Sequence, residues 1–586
     1  MSVRLVNKVL RGREFTWGGC LISPLTSGDV LCVRVSRLML AYTCMRCWTA
    51  TRSFGGCHSI GFSFAFLCYR SGMAIGGQMK FTEISGIDVE PGALTEWRPW
   101  CGPDGSRWRT DERPPSYIQE EHVRNRLAGQ REGRASPSWL ATVFDLPGRL
   151  DPEAFRTALL TWIDQHETLR SGLRVDGDHI SRFTLDKGEA DLRGAPVGEY
   201  SSGAELAERI EAFFDLETDP LAWPSYGCAT ISRAGSTTVC LGFDHSNVDG
   251  YSILLIAQEI RWLYAAAVVG SQPDPTDVGS YIDFSHIERA GAAEVGADHA
   301  AVVRWRDFLV ENGWKLPEFP VPSYLGGDTR TESPGCVVHG DSGDSGDDPC
   351  DGLCDEIPVP QYSGDELILD ADQASAFDAA CRGNGGSPLA GILTCLGIAG
   401  RESLDQDEFR ALTIFHTRNH PKWARSLGWY VGLAPVHFPV AGPDTFPKVM
   451  LGAKDAVKAA KPLSEVPFAR VVELLGAQLE PRFVVSYVDM RLTPGARYWK
   501  EWRMHTLRSR SHHPHEVYLW INRGFDGTRL SFRYPAIGHR ASATRLYIDR
   551  AAAEMRRVAA GGDLTESPRP AAGVPPVAVD MEAASC

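Results

Sequence analysis

One stretch, Val239 to Ile260, limits the folds open to this chain more than any other (VCLGFDHSNVDGYSILLIAQEI). It begins as an apolar run suited to a buried strand and breaks at the polar segment Asp244 to Gly250. It then resumes as an amphipathic helix with Ile253, Leu254, Ala257 and Ile260 on one face. A strand that feeds a helix in this way calls for a sheet with helices layered on it. His245 stands at the strand end, where the backbone is fixed and a loop can expose the ring. Gly250 lets the chain turn, or lets a substrate come close. A histidine so mounted suits a base, yet a lone His beside a strand is more often a satisfied structural residue. The segment by itself leaves both readings open.

The rest of the chain repeats the same alternation. Ile118 to Leu127 reads as a helix and Trp139 to Asp145 as a strand. Leu150 to His166 is an amphipathic helix with Asp151 at its cap, Pro152 in its first turn, and Phe155, Leu159, Trp162 and Ile163 as its apolar stripe. Strands are expected at 173, 179–185, 226–233 and 237–243, with a helix at 204–214 among them and another at Ala300 to Asn312. A second half follows with strands near 366–370, 409–416, 430–440, 482–488, 516–521 and 529–533. Its helices fall at 371–381, 388–400, 446–460 and 541–559. Between the halves, residues 326–360 form an acidic Gly/Ser/Asp-rich linker, and 561–586 a Pro/Ala/Gly-rich disordered tail. The predicted class is α/β, with one subdomain over 79–325 and another over 361–560.

Composition removes several function classes. A formal charge of −14 disfavours nucleic acid, whose phosphates need a basic face. No apolar run reaches the roughly 18–20 residues needed to span a bilayer. The cysteines outside the N-terminal segment show no disulfide or zinc spacing, which fits a reducing, cytoplasmic compartment. Gly340-Asp-Ser-Gly343 imitates a serine-nucleophile string but sits in the linker, without a rigid scaffold. The cluster His512-His513-Pro514-His515 lacks a carboxylate–His pair at helical spacing, and no metal is expected. No Gly-x-Ser-x-Gly elbow, phosphate loop or dinucleotide fingerprint is present.

Several words, in order, carry a resemblance. Asp244-His245-Ser-Asn-Val-Asp249-Gly250 resembles the His-His-x-x-x-Asp-Gly signature of the condensation-domain and chloramphenicol-acetyltransferase-like superfamily, with Asp244 in place of the first His. Gln165-His-Glu-Thr-Leu-Arg170 resembles that family's upstream Arg-His-x-x-Leu-Arg word. Pro115 to Gln119, Trp305 through Pro320, and Gly428-Trp429 resemble the polyketide-associated acyltransferases of actinobacteria. The Asp-Phe-Gly-Trp-Gly word of peptide-synthetase condensation domains is missing; Gly524-Phe-Asp-Gly527 stands in a comparable place.

The resemblance implies two similar α/β subdomains meeting in a V, with a tunnel between them and His245 near its middle. It implies acyl transfer from a CoA or carrier-protein thioester to a hydroxyl of a lipid, polyketide or other natural product. His245 would be the base, and no cofactor would be needed beyond the thioester substrate. Asp249 would pair with Arg170 as support, and Asp244 would orient His245 or raise its basicity. Asn247, Trp429 and Arg418 would be the substrate or carrier contacts. An acyl carrier protein or polyketide synthase is the implied partner, and the chain is expected to be a monomer. Two alternatives stand beside this: a free-standing condensation enzyme forming an amide, and an inactive carrier-binding scaffold.

Residues 1–78 differ from everything after them. They hold nine basic residues against Glu14 and Asp29, and six of the 15 cysteines. Arg11, Arg13 and Glu14 interrupt any signal-peptide core, and Cys44-Met-Arg-Cys47 has no second half for a zinc site. Gly76-Gly77-Gln78-Met79 is what a purine-rich ribosome-binding stretch yields when translated, so the segment is expected to be a non-native extension or a disordered one. The natural start is then Met79, or else Met73. Intact mass of the protein made from its native locus checks this: a chain starting at Met79 is expected, and one retaining residues 1–72 refutes it.

Overall fold

A computed structural model of the chain describes residues 16–17, 20–21, 79–102, 107–134, 136–271, 278–321, 359–442 and 445–562. The chain divides into two units, Met1–Met73 and Ala74–Cys586. In the first, Thr16–Trp17 and Cys20–Leu21 pair as antiparallel strands. Otherwise the expectations for residues 1–78 lie outside the described residues, as do nearly all of those for the acidic linker and the tail.

The second unit is built on two large sheets. The first has seven strands. These are β1 (Phe81–Thr82), β2 (Gly92–Trp100), β4 (Trp139–Pro147), β7 (Asp191–Tyr200), β8 (Tyr226–Ser232), β9 (Ser236–Asp244) and β14 (His505–Arg508). Their order is β1-β14-β4-β9-β8-β2-β7. The second sheet holds β10 (Gln361–Asp370), β11 (Glu408–His416), β12 (Val431–Pro439), β13 (Phe483–Asp489), β15 (Val517–Arg523) and β16 (Gly527–Pro535), in the order β10-β16-β15-β13-β11-β12. A small sheet of β3 (Arg109–Asp111), β5 (Ser171–Asp176) and β6 (His179–Thr184) lies beside the first.

Local chemistry sets the helices. In α1 (Tyr117–Arg131), the Ser116 hydroxyl accepts from the Gln119 N–H while Gln119 reaches back to the Ser116 N–H, a reciprocal cap. Helix α2 (Pro152–Gln165) starts as its sequence predicts: the Asp151 carboxylate accepts from the N–H groups of Glu153 and Ala154, and Pro152 occupies the first turn. α2 and α4 (Ser252–Val268) pack on the first sheet through Phe155, Leu159 and Trp162 against Leu254, Ala257 and Phe243. α3 (Gly203–Glu217) covers the sheet's other face with Phe213 and Phe214. In the second half, α8 (Pro388–Leu404) is apolar nearly all round, because it lies inside the largest core cluster.

The sequence reading overlooks seven elements. They are β1, β2, β3, β7, α5 (Tyr281–Ala293), the short helix Phe468–Leu475, and β14. β14 has the largest consequence. It belongs by sequence to the second half, yet it lies between β1 and β4 of the first sheet, with Leu507 opposite Ala141 and Thr506 opposite Thr142. The two halves therefore share a sheet, and a division by sequence position alone does not separate them.

Leu507 is 1% exposed and packs with Trp139, Ala141 and Phe214. Leu507→Ala is expected to lower the unfolding free energy by about 2–5 kcal/mol, the range for deleting a buried Leu side chain. Because β14 joins both halves, the loss should appear in urea as a shift of one common transition. A second-half transition left at its wild-type midpoint would show that the shared strand does not couple them.

Candidate active site

β9 ends at Asp244, and the chain turns at His245. The backbone here is tied to the neighbouring strand, because the His245 N–H donates to Ser138 O at 3.1 Å and the Asp244 N–H to Ser225 O at 2.9 Å. Trp429, from the segment leading into β12, lies against the His245 ring at a centroid distance of 3.8 Å and an interplanar angle of 27°. His245 keeps part of its surface open, while its Nδ1 is buried and unpartnered among the described residues. Burial, then the nearby charge of His122, push its pKa down to about 4, so the ring is neutral at physiological pH.

The position of Trp429 depends on a close approach behind it. A Cβ on Gly428 would sit 2.3 Å from the Tyr281 ring, so only glycine lets the loop pass. The Tyr281 hydroxyl lies 2.8 Å from Ser116 Oγ, the α1 cap, and also donates to Trp429 O at 3.1 Å. Residues from both halves thus hold the indole.

Asp249 is buried, and its partner is not Arg170. Arg418 Nη2 donates to both Asp249 oxygens, at 3.1 and 3.3 Å. The Ser252 N–H donates to Oδ1 at 2.6 Å and the Tyr430 N–H to Oδ2 at 3.0 Å. Burial raises the Asp249 pKa, but the Arg418 charge and these donors outweigh it, and the net shift is downward. Arg170 is buried elsewhere: its guanidinium donates to Leu185 O and lies 3.9 Å from Asp164, fixing the turn Glu167–Arg170 against the small sheet. Either arginine can neutralise a carboxylate, and only the folded chain selects between them.

Other expectations for the site also change. Arg418, expected at a contact surface, is internal: its side chain is 5% exposed, it also donates to Trp423 O and Ser426 O, and its guanidinium lies 4.1 Å from the Tyr430 ring centroid. Asn247 is buried and spans Ser225 Oγ and Thr168 Oγ1. Gly250 is exposed, and an added Cβ there meets nothing and needs no unusual φ. Asp244 makes no hydrogen bond to the His245 ring among the described residues. Its carboxylate takes the Ser246 N–H at 2.9 Å, the Ser138 hydroxyl at 3.0 Å, and His122 Nε2 at 3.0 and 3.2 Å.

His122 is the functional candidate that sequence reasoning missed. It lies on α1, and its ring meets Trp429 edge-on at 5.4 Å. Helical spacing from Gln119 was the available signal, since residues three apart share a face. No group of three or more His, Cys, Asp or Glu among the described residues could hold a metal ion. In the His512–His515 cluster, His513 Nδ1 accepts from the N–H groups of His515 and Glu516 and its Nε2 lies 3.3 Å from Glu480, so it organises a turn.

The condensation-domain family model matches residues 116–300, the segment that carries α1, His245 and α5. Over that segment the chain is similar to the condensation-domain family. Trehalose-2-sulfate acyltransferase PapA2 of Mycobacterium bovis is 27% identical over 467 residues, 78% of this chain and 92% of the relative. PapA1 of Mycobacterium tuberculosis, a 2'-acyl-2-O-sulfo-trehalose (hydroxy)phthioceranyltransferase, is 27% identical over 419 residues, 70% of this chain and 75% of its own. A solved PapA2 acyl transferase has a TM-score of 0.70 and 25% identity, over 82% of this chain and all of that one (100%). The condensation domain of the monacolin K polyketide synthase MokA shares the fold, with a TM-score of 0.59 at 16% identity over 78% of this chain. Among the described residues, no helix is long and apolar enough to cross a membrane.

Arg418→Ala leaves a buried carboxylate unpaired and is expected to cost about 3–5 kcal/mol in chemical denaturation. The Asp249 share of stability is present above its ordinary 3.8 and is lost as pH falls through its lower folded value. The penalty of Arg418→Ala should therefore shrink at acid pH, once Asp249 can protonate. A cost independent of pH would contradict the pairing.

Proposed function

We propose that this acyltransferase moves an acyl group from a CoA or carrier-protein thioester to an acceptor hydroxyl, with His245 as the general base. The observation that carries the reading is the His245 ring itself: neutral, partly open, and held flat on Trp429 at 3.8 Å. With Nδ1 buried, Nε2 is the nitrogen left to meet an incoming hydroxyl. Trehalose-2-sulfate in the name of one relative makes a sugar or glycolipid hydroxyl the first acceptor class to test.

The chemistry then follows from the ring. The acceptor O–H gives its proton to neutral His245 as the oxygen attacks the thioester carbonyl. A tetrahedral oxyanion forms and collapses, the C–S bond breaks, and the departing thiolate takes the proton back from His245. A thioester is reactive enough that no covalent enzyme intermediate is required, so binding both substrates in register supplies much of the rate. No bound cofactor enters this scheme. The low pKa makes His245 a weaker base but a stronger acid toward a thiolate, whose own pKa is about 8.5. Coenzyme A and carrier thioesters are intracellular reagents, which supports a cytoplasmic setting.

His245→Ala is expected to reduce acyl transfer by roughly 10²- to 10⁴-fold while leaving the thermal midpoint unchanged. Thiol release from palmitoyl-CoA with trehalose-2-sulfate as acceptor measures it. On the acid side, wild-type kcat/KM should pass 6.5 without a break and fall only toward the His245 value near 4. Full activity in the variant, or an acid limb centred on 6.5, would overturn the assignment.

A further inference from the structure

The turn that carries His245 is gripped on both sides by one face of α1. Gln119 Nε2 donates to Ser246 O at 2.8 Å, immediately after His245. Three residues along the helix, His122 Nε2 meets the carboxylate of Asp244, immediately before it. Gln119 is itself fixed: its Oε1 accepts from the Ser116 N–H at 3.2 Å and from Arg182 Nη2 at 2.9 Å. The helix start is tied through Ser116 to the Tyr281 hydroxyl, which also holds Trp429. His122 adds its own edge contact to the same indole.

Asp244 explains why the second grip is an imidazole. Its side chain has no exposed surface, and a buried carboxylate is tolerated when it is paired and fully hydrogen-bonded. Two neutral donors, the Ser246 N–H and the Ser138 hydroxyl, leave its charge uncompensated. The His122 ring supplies the cation. Where the family word has a histidine at position 244, this chain has the carboxylate there and brings an imidazole from a different element.

We infer that His122 is a positioning residue of acyl transfer, closing with Gln119 and Asp244 a clamp that aims the His245 ring at its substrate. The inference rests on the proposed role of His245. The clamp has its own titration. Burial opposes charge on His122, but the Asp244 carboxylate outweighs burial and raises the His122 pKa. Asp244, Arg126 and Glu121 face His122, and His122, Asp244 and Asp249 face His245. A raised imidazole contributes fully below its ordinary 6.5 and loses its contribution as pH rises through the folded value. The clamp is therefore closed below 6.5 and opens as pH rises through the raised His122 value.

The test compares wild type, His122→Gln and Asp244→Asn in the full-length chain, with palmitoyl-CoA as donor and trehalose-2-sulfate as acceptor. His122→Gln should lower kcat about 10- to 100-fold, the scale on which partners that orient a functional imidazole act, with KM for palmitoyl-CoA little changed. The alkaline limb of the wild-type profile should vanish in both variants. Wild-type kcat in His122→Gln, or a surviving alkaline limb, would overturn the inference. Histidine ring NMR separates this from any failure of the acyl-transfer reading, since it needs no turnover. The His122 signal should titrate above 6.5, and His122→Gln should move the His245 titration upward. A His122 signal titrating below 6.5, or an unmoved His245, would refute the clamp even where no substrate is turned over.

Discussion

The contact between Asp249 and Arg418 joins the motif loop of the first half to the second half, and much of the site follows from it. Both side chains are almost wholly buried, at 3% and 5% exposure, and each has further partners. Such a pair contributes little net stability when compared with apolar packing, but breaking it is costly, so it fixes register. Arg418 also holds the carbonyls of Trp423 and Ser426, and Asp249 holds the Tyr430 N–H. Those three residues surround Trp429, the plate on which His245 rests. The ion pair thus sets where the second half delivers its indole.

Electrostatics divides the histidines of the site into two kinds. His245 is buried without a paired anion, so its neutral form is favoured and it remains available as a base. His122 is part-buried beside the Asp244 carboxylate, which outweighs burial and shifts it toward the charged form. Two imidazoles on one indole shift in opposite directions because only one has a carboxylate in hydrogen-bonding reach. The raised member lies in the helix that grips the turn, and the lowered member lies in the turn being gripped.

Much of the fold was visible in local pattern. α2 and its Asp151-Pro152 start, the run from β9 into α4, and most strands of the second half carry their own periodicity or caps. What escaped was written in weaker signals. Trp97, Pro99 and Trp100 hide β2 in a segment that reads as irregular, and β14 is four residues long, too short for alternation to register. The site shows the same divide. His245 is marked by its motif, whereas His122 has no motif and is reached only through its distance to Asp244 in space.

By itself, the sequence determined the α/β class and the strand–loop–helix segment that mounts His245, because apolar periodicity and caps act over a few residues. Tertiary structure alone decided the partners. Arg418 rather than Arg170 neutralises Asp249, although 169 positions separate the two residues. His122 reaches Asp244 across 122 positions, and β14 inserts into the sheet of the other half. Charge pairing and strand addition depend on distance in space, which no local pattern of residues reveals.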